Sequence, residues 1–477
     1  MKQLKFVLLL AFLPLFSSGT SCDNMLNFPG FNSYVDCGPA IALNPESGIT
    51  VQAWIYTLDA SFNQKIAGNI DPFTNSGYEL AIDSNMLYCE IKDTSGVLTF
   101  FRAGQINANE WTHVAFSYKV NGTMKGYING NEIISIPVSS TPIGNTGTTN
   151  FIIGSAPWDQ NYFNFNGNID EVKIFSSQIS IDQIREEMRM IYSGTLPGLI
   201  GYWKFAEGSG TTTADLSGQN NNGTLYGLNT PTWTASDGPY GSGFSELQII
   251  SCCNFYNFDP ANLRLDIDIT NLTGTDTLVV SYIQCDPGGS VPSGSTDYVF
   301  GYWVLDKYGS PGVFNGRFDF TLGSGMISPQ DETTPGNLKL YTRNPNATGT
   351  WTIWNSASTA SSSSGLIQFA GASLNQQIVI GTTGNSPLEI NSIPPALDFS
   401  LSPNPVNQFL NLQLDWNRSE PLEVQIYNSY GQQVHHGHFL YASASPVKLN
   451  CTEFSSGIYT ILILSKNGKG IRKFIVE

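Results

Sequence analysis

The stretch Glu110-Trp-Thr-His-Val-Ala-Phe-Ser-Tyr-Lys-Val-Asn-Gly-Thr-Met-Lys-Gly-Tyr-Ile128 decides the fold. Two strand-forming runs, Trp111 to Tyr118 and Met124 to Ile128, are joined through Asn121-Gly122. Asn and Gly tolerate the positive φ that a tight hairpin turn demands, so this spacing predicts two antiparallel strands. Tyr127-Ile-Asn-Gly-Asn131 supplies the next turn. Upstream, Gly48-Ile-Thr-Val-Gln-Ala-Trp-Ile55 alternates Ile49, Val51, Ala53 and Ile55 with Thr50, Gln52 and Trp54. A period of two over this length predicts a strand lying on a core.

The same texture runs through the whole chain. Of 477 residues only 13% are charged, while 47 Gly and 25 Pro punctuate short runs rich in β-branched and aromatic residues. This is an all-β pattern, and the length suggests about three domains. One amphipathic helix is expected, Ile181-Asp-Gln-Ile-Arg-Glu-Glu-Met188, opened by Ser180. The formal charge of −16 argues against nucleic acid, which needs clustered Lys and Arg, and is compatible with divalent cations.

Residues 1–21 read as a signal peptide: a positive Met1-Lys-Gln-Leu-Lys5, an apolar Phe6 to Phe16, then small residues. Cys22 opens a lipoprotein alternative, against which stands Gly19 in place of the usual Leu-like residue. No later segment is apolar for the roughly 18 residues that a spanning helix needs. In an exported chain cysteines can pair. Cys37 with Cys89, and Cys252 or Cys253 with Cys285, are the pairings local to one domain; buried thiols are the other reading. No CxxC or Cys/His cluster suggests zinc.

Four pieces then carry a resemblance: FPGFNSYVDCG, ITVQAWIY, EWTHVAFSYKVNGTMKGYINGNEI and FNGNIDEVKIFSSQISIDQI. In order and spacing they resemble the laminin-G-like, concanavalin-A-like jelly roll over residues 22–195. The resemblance implies two packed antiparallel sheets whose loops and curved face take glycan or protein ligands. It also implies a structural Ca²⁺ held by Asp170, with carbonyls of the Asn27–Asn32 loop, Asn27 and Gly30 among them, completing an oxygen shell; the alternative is that Asp170 caps a turn. His113 lies in the family's WTHV strand signature and reads as a packed strand residue.

The loop Ala156-Pro-Trp-Asp-Gln-Asn-Tyr-Phe163 offers a ligand site of its own. Trp158 and Tyr162 could stack on sugar faces while Asp159 and Asn161 bond hydroxyls. The alternative is that the aromatics cover the sandwich rim.

Residues 196–243 contain Gly198-Leu-Ile-Gly-Tyr-Trp203 and Asp215-Leu-Ser-Gly218, which resemble the opening of the same family. They are expected to dock a strand on the first domain and end in a Gly/Ser/Pro linker at 235–243. Residues 244–392 show strand-like runs at β-sandwich spacing, with no activity attached. Asp266 and Asp268 share one strand face there and read as a solvated face; the alternative is metal binding or acid–base work. Residues 396–477 form a small sandwich from Leu410–Leu414, Val424–Val434, Ser456–Ile463 and Arg472–Glu477. These motifs closely resemble the type A sorting domain of the type IX secretion system of Bacteroidetes. The resemblance implies outer-membrane passage, with Lys473 at the family's basic terminal position.

Catalysis finds little support. Jelly-roll glucanases place acids at i, i+2 and about i+5 on one strand, and Glu79, Asp83, Glu90 and Asp93 miss that spacing. No Gly-x-Ser-x-Gly occurs, and His435, His436 and His438 all fall in the sorting domain. The expectation is an exported, non-enzymatic protein binding glycan or an extracellular protein. Its alternatives are a polysaccharide hydrolase and a structural surface protein without glycan binding.

Overall fold

In the computed structural model the chain folds into three successive β-sandwiches. It describes residues 23–477 except 40–42, 44, 74–75, 139, 145–148, 192–195, 228–229, 242–243, 260–262, 286–294, 300, 312–313, 324–325, 372, 385, 387, 389–398, 415–419, 429–432, 442–445 and 466–467. The expected signal peptide and Cys22 lie outside the described residues.

The first sandwich has two eight-stranded sheets. In the front sheet Gly48–Thr57 lies between Trp111–Lys119 and Asn166–Phe175. Trp111–Lys119 turns at Asn121, φ +57°, into Thr123–Ile128, pairing Tyr118 with Met124 and Val114 with Ile128. The Asn-Gly hairpin therefore forms where the turn chemistry puts it. In the back sheet Tyr34–Asp36, Ile152–Ile153, Gln64–Gly68, Tyr78–Asp83, Met86–Lys92 and Leu98–Gln105 follow one another. Leu26, Val51, Ile55, Leu80, Cys89, Val114 and Phe116 fill the space between the sheets.

Alternation along Gly48–Thr57 predicts one solvated face, yet Thr50, Gln52 and Trp54 are as buried as Val51 and Ile55. A third layer covers them. The helix Ile181–Glu187, capped by Ser180 Oγ accepting from Gln183 N–H, lies outside the front sheet. Beside it Leu199–Trp203 pairs with Asn166–Phe175, and Thr232–Ala235 pairs with Asn24–Pro29. Thr212–Thr213 and Gly223–Tyr226 meanwhile extend the back sheet.

Residues 196–241 thus complete the first sandwich. The Gly/Ser/Pro linker expected at 235–243 is packed on the first sandwich over its described residues 235–241. Ser236 and Tyr240 are buried, Tyr240 packing against Trp54 and Trp111 and so removing aromatic surface from water.

The middle domain is a two-sheet sandwich, as expected. Trp303, Phe318, Phe320 and Phe369 occupy its core. The third sandwich packs a three-stranded against a four-stranded sheet around Leu412, Val424, Ile461 and Phe474. Its Lys473 reaches Glu186 of the helix on the first domain at 3.0 Å.

Candidate functional site

The loop after Ile152–Ile153 crosses the outer face of the back sheet. Lys65 N–H donates to the Phe163 carbonyl at 2.8 Å, tying the loop to the strand beneath. Asp159 Oδ1 accepts from both the backbone and side-chain N–H of Asn161, each at 3.0 Å. Asn161 Oδ1 in turn accepts from Asn32 Nδ2 at 2.8 Å. The polar pair expected to bond a ligand thus shapes the loop first. The aromatics remain free to act: Trp158 is 37% exposed, Tyr162 57% and Phe163 38%. Trp158 meets the Phe163 ring edge-on, centroids 5.9 Å apart.

Below the loop, successive outward positions carry a charged and aromatic cluster. Core residues Leu80, Ile82, Leu87, Cys89 and Phe101 point inward, so Glu79, Tyr88, Glu90, Phe100 and Arg102 point outward. Lys65 Nζ sits 5.2 Å over the Phe163 ring and 5.5 Å over that of Tyr88. It also pairs with the buried Glu79. Register places Glu79 directly opposite Glu90, and Tyr88 donates its hydroxyl to Glu90. Burial pushes the Glu79 carboxyl up to about 7; Lys65 opposes the shift and Glu90 adds to it. Its Oε2 has no partner. Phe100, 52% exposed, packs 5.9 Å from Tyr88 and extends the aromatic surface.

Sequence reasoning dismissed Glu79 and Glu90 for their spacing along one strand. They meet across two strands instead, and a hairpin pairing of Tyr78–Asp83 with Met86–Lys92 would have signalled it.

The proposed calcium ligands do not converge. Asp170 is 1% exposed, and its Oδ2 accepts from Tyr240 at 2.7 Å while Oδ1 accepts from Glu171 N–H at 2.9 Å. Burial, and then neighbouring Glu171, push its carboxyl well above the usual range. Register pairs Leu26 with Ile169 and Pro29 with Asn166, leaving Gly30 about five rungs from Asp170. At roughly 3.3 Å per rung, that distance far exceeds a calcium shell. Asp170 instead ties the strand Asn166–Phe175 to the Tyr240 segment. Among the described residues no three His, Cys, Asp or Glu gather as metal ligands.

Other expectations resolve as follows. His113 is a packed strand residue, edge-on to Trp54 at 5.4 Å, with burial pressing its pKa well below the usual value. Cys37 and Cys89 are free and buried, both lying among the apolar residues between the sheets, so that expected bridge is absent. Cys252 lies bonded to Cys253, and Cys285 is itself disulfide-bonded. Asp266 is held by Arg264 at 2.8 Å, and Asp268 faces Arg317 at 3.7 Å, so arginines neutralise that strand face.

Residues 29–185 match the family model of the concanavalin A-like lectin/glucanases superfamily. Residues 400–477 match that of the secretion system C-terminal sorting domain. The chain joins a concanavalin A-like domain to a type IX sorting domain. That sorting domain marks it for the cell surface or for secretion. Among the described residues no helix is long and apolar enough to cross a membrane.

Three solved structures are similar to part of this chain. A putative carbohydrate binding protein from Bacteroides ovatus is 21% identical, with TM-score 0.38, over 46% of this chain and 62% of that one. This chain therefore spans less than two thirds of that protein. The IT-sialidase CBM40 of Ruminococcus gnavus, solved with alpha2,3 sialyllactose, is 16% identical over 35% of this chain and 97% of its own, with TM-score 0.31. The SAP-like pentraxin of Limulus polyphemus is 13% identical over 35% and 81%, with TM-score 0.27. No curated protein matches the chain.

Proposed function

We propose that this is an exported carbohydrate-binding protein whose concanavalin A-like domain holds glycan on the outer face of the back sheet. The observation that carries this reading is the exposed aromatic cluster of Trp158, Tyr162 and Phe163, linked through Lys65 and Tyr88 to Phe100. Exposed aromatic rings present flat apolar surface, which suits the C–H faces of sugar rings. Tyr88, Glu90 and Arg102 lie next to it, offering donors and acceptors for hydroxyls.

Holding Lys65 between two rings and a carboxylate fixes the platform from below, so little rotamer freedom remains to be lost on binding. A glycan array probed with the signal-free chain, with and without EDTA, tests the reading. Binding that survives EDTA is expected, because the platform needs no metal. Capture of extracellular proteins without any glycan signal would replace the reading by the protein-ligand one.

One observation favours a second reading. A buried carboxyl with its pKa near 7, facing a second carboxyl, is how acid catalysts are tuned in glycoside hydrolases. Glu79 is only 1% exposed and ion-paired, which shields it from substrate and places binding first. Release of reducing sugar from a polysaccharide panel, lost in Glu79→Gln, would establish hydrolysis.

A further inference from the structure

The first and middle domains are clamped together. Arg189, fully buried, donates to both carboxylate oxygens of Asp306, to the Pro239 carbonyl at 2.7 Å and to Asn346 Oδ1 at 2.9 Å. The turn Asn129-Gly130 meets Tyr308 so closely that a Cβ on Gly130 would stand 2.5 Å from the Tyr308 hydroxyl. Arg185 caps this contact, lying 4.1 Å over the Tyr308 ring and donating to the Gly130 carbonyl at 3.1 Å.

Beside the clamp a cleft of about 610 Å³ opens between the domains. Asn109, Glu110 and Asn131 line one wall, and Asn344, Thr348 and Asn375 line the other. Gln377 Nε2 pins the second wall by donating to the Pro345 and Ala347 carbonyls at 2.7 and 3.0 Å.

We propose that this cleft is a second ligand site, taking a neutral oligosaccharide. Six of its lining residues are asparagines. Asn346 and Asn129 Oδ1 accept from Arg189 and from His113 N–H, and Asn131 Nδ2 donates to the Asn129 carbonyl, while the amides of Asn109, Asn344 and Asn375 each offer a donor and an acceptor, as a row of hydroxyls requires. Its charges are largely cancelled from within. Asp306 is neutralised by Arg189, and Lys307 pairs with Asp276 at 2.8 Å. Glu110, bonded by the Asn107 amide at 3.3 Å, leaves one acceptor and no cation to hold an acidic ligand. The volume falls in the range of preformed small-molecule sites, and the clamp sets the wall separation before binding. Carrying no exposed aromatic, this cleft would recognise its sugar by hydrogen bonds rather than by stacking, unlike the platform on the back sheet.

Isothermal titration of the signal-free chain with cellohexaose, xylohexaose, laminarihexaose and mannohexaose, and with 3′-sialyllactose as the acidic control, tests the site. Thr348→Trp and Asn131→Trp fill the cleft from opposite walls at exposed positions, so at least one is expected to keep the wild-type melting temperature. The expected result is binding of a neutral hexaose that falls at least tenfold in a folded cleft variant and persists in Trp158→Ala/Tyr162→Ala. Failure of all four hexaoses to bind, or unchanged affinity in the filled variants, overturns the proposal. Loss only in the Trp158/Tyr162 variant assigns the binding to the loop and equally overturns it.

Discussion

Arg189 and Asp306, 117 residues apart, form a two-pronged ion pair at 2.5 and 2.8 Å that joins the first domain to the second. Both are buried, so each charge depends on the other. Removing one partner strands the other charge in a dry site. Arg189→Met is expected to destabilise the two-domain unit by about 3–5 kcal/mol in urea unfolding. Arg189→Met with Asp306→Leu is expected to recover most of that loss. A single substitution within about 0.5 kcal/mol of wild type would show that the pair does not hold the domains.

Gly130 occupies a backbone with φ +71° against Tyr308. Gly130→Ala meets both left-handed strain and overlap with the ring, so a loss of about 1 kcal/mol or more is expected. Combining it with Tyr308→Ala removes the overlap but not the strain. Calorimetry on the single and double variants separates the two contributions; strictly additive losses would argue against contact.

His113 sets a pH dependence. Burial first, then Lys173 and Arg189 nearby, hold it neutral in the folded chain. Below its ordinary pKa of 6.5 the unfolded chain takes up a proton that the folded chain refuses. Stability from this group is therefore present above about pH 6.5 and lost as pH falls, by about 1.4 kcal/mol per unit. His113→Phe removes that dependence. Relative to wild type, the variant should gain about 2 kcal/mol between pH 6.5 and pH 5 in chemical denaturation. Parallel stability curves would refute the assignment.

Glu90 is one of the groups that raise the Glu79 carboxyl. Removing its charge in Glu90→Gln is expected to lower the Glu79 pKa from about 7, read by carboxyl ¹³C NMR titration. An unmoved titration would mean that the two carboxyls do not interact.

Much of this fold is legible in one dimension, because the deciding contacts are local. The Asn121-Gly122 turn and the alternation of Ile49, Val51, Ala53 and Ile55 need only neighbours to be read. What escapes reading depends on distant partners. Tyr240 seals Trp54 and Asp170 because the chain, after rejoining the front sheet at Thr232–Ala235, passes back over it, which turns an apparent linker into core. Glu79 faces Glu90 only once hairpin register is known.

The position of Gly30 relative to Asp170 was hidden for the same reason: antiparallel pairing carries Gly30 away from Asp170 as the strands run on. The platform loop was legible through Trp158 and Tyr162. That Asp159 and Asn161 shape the loop from within was not, since their bonds run to one another and to Asn32.

Recognition of sugar at Trp158 and Tyr162 is the claim on which the account stands. Its most direct measurement is the affinity of the best array glycan for wild type and for Trp158→Ala/Tyr162→Ala, by titration calorimetry at matched folding. The account predicts at least a tenfold loss, about 1.4 kcal/mol or more, with an unchanged melting temperature. Equal affinities in the two proteins would contradict it.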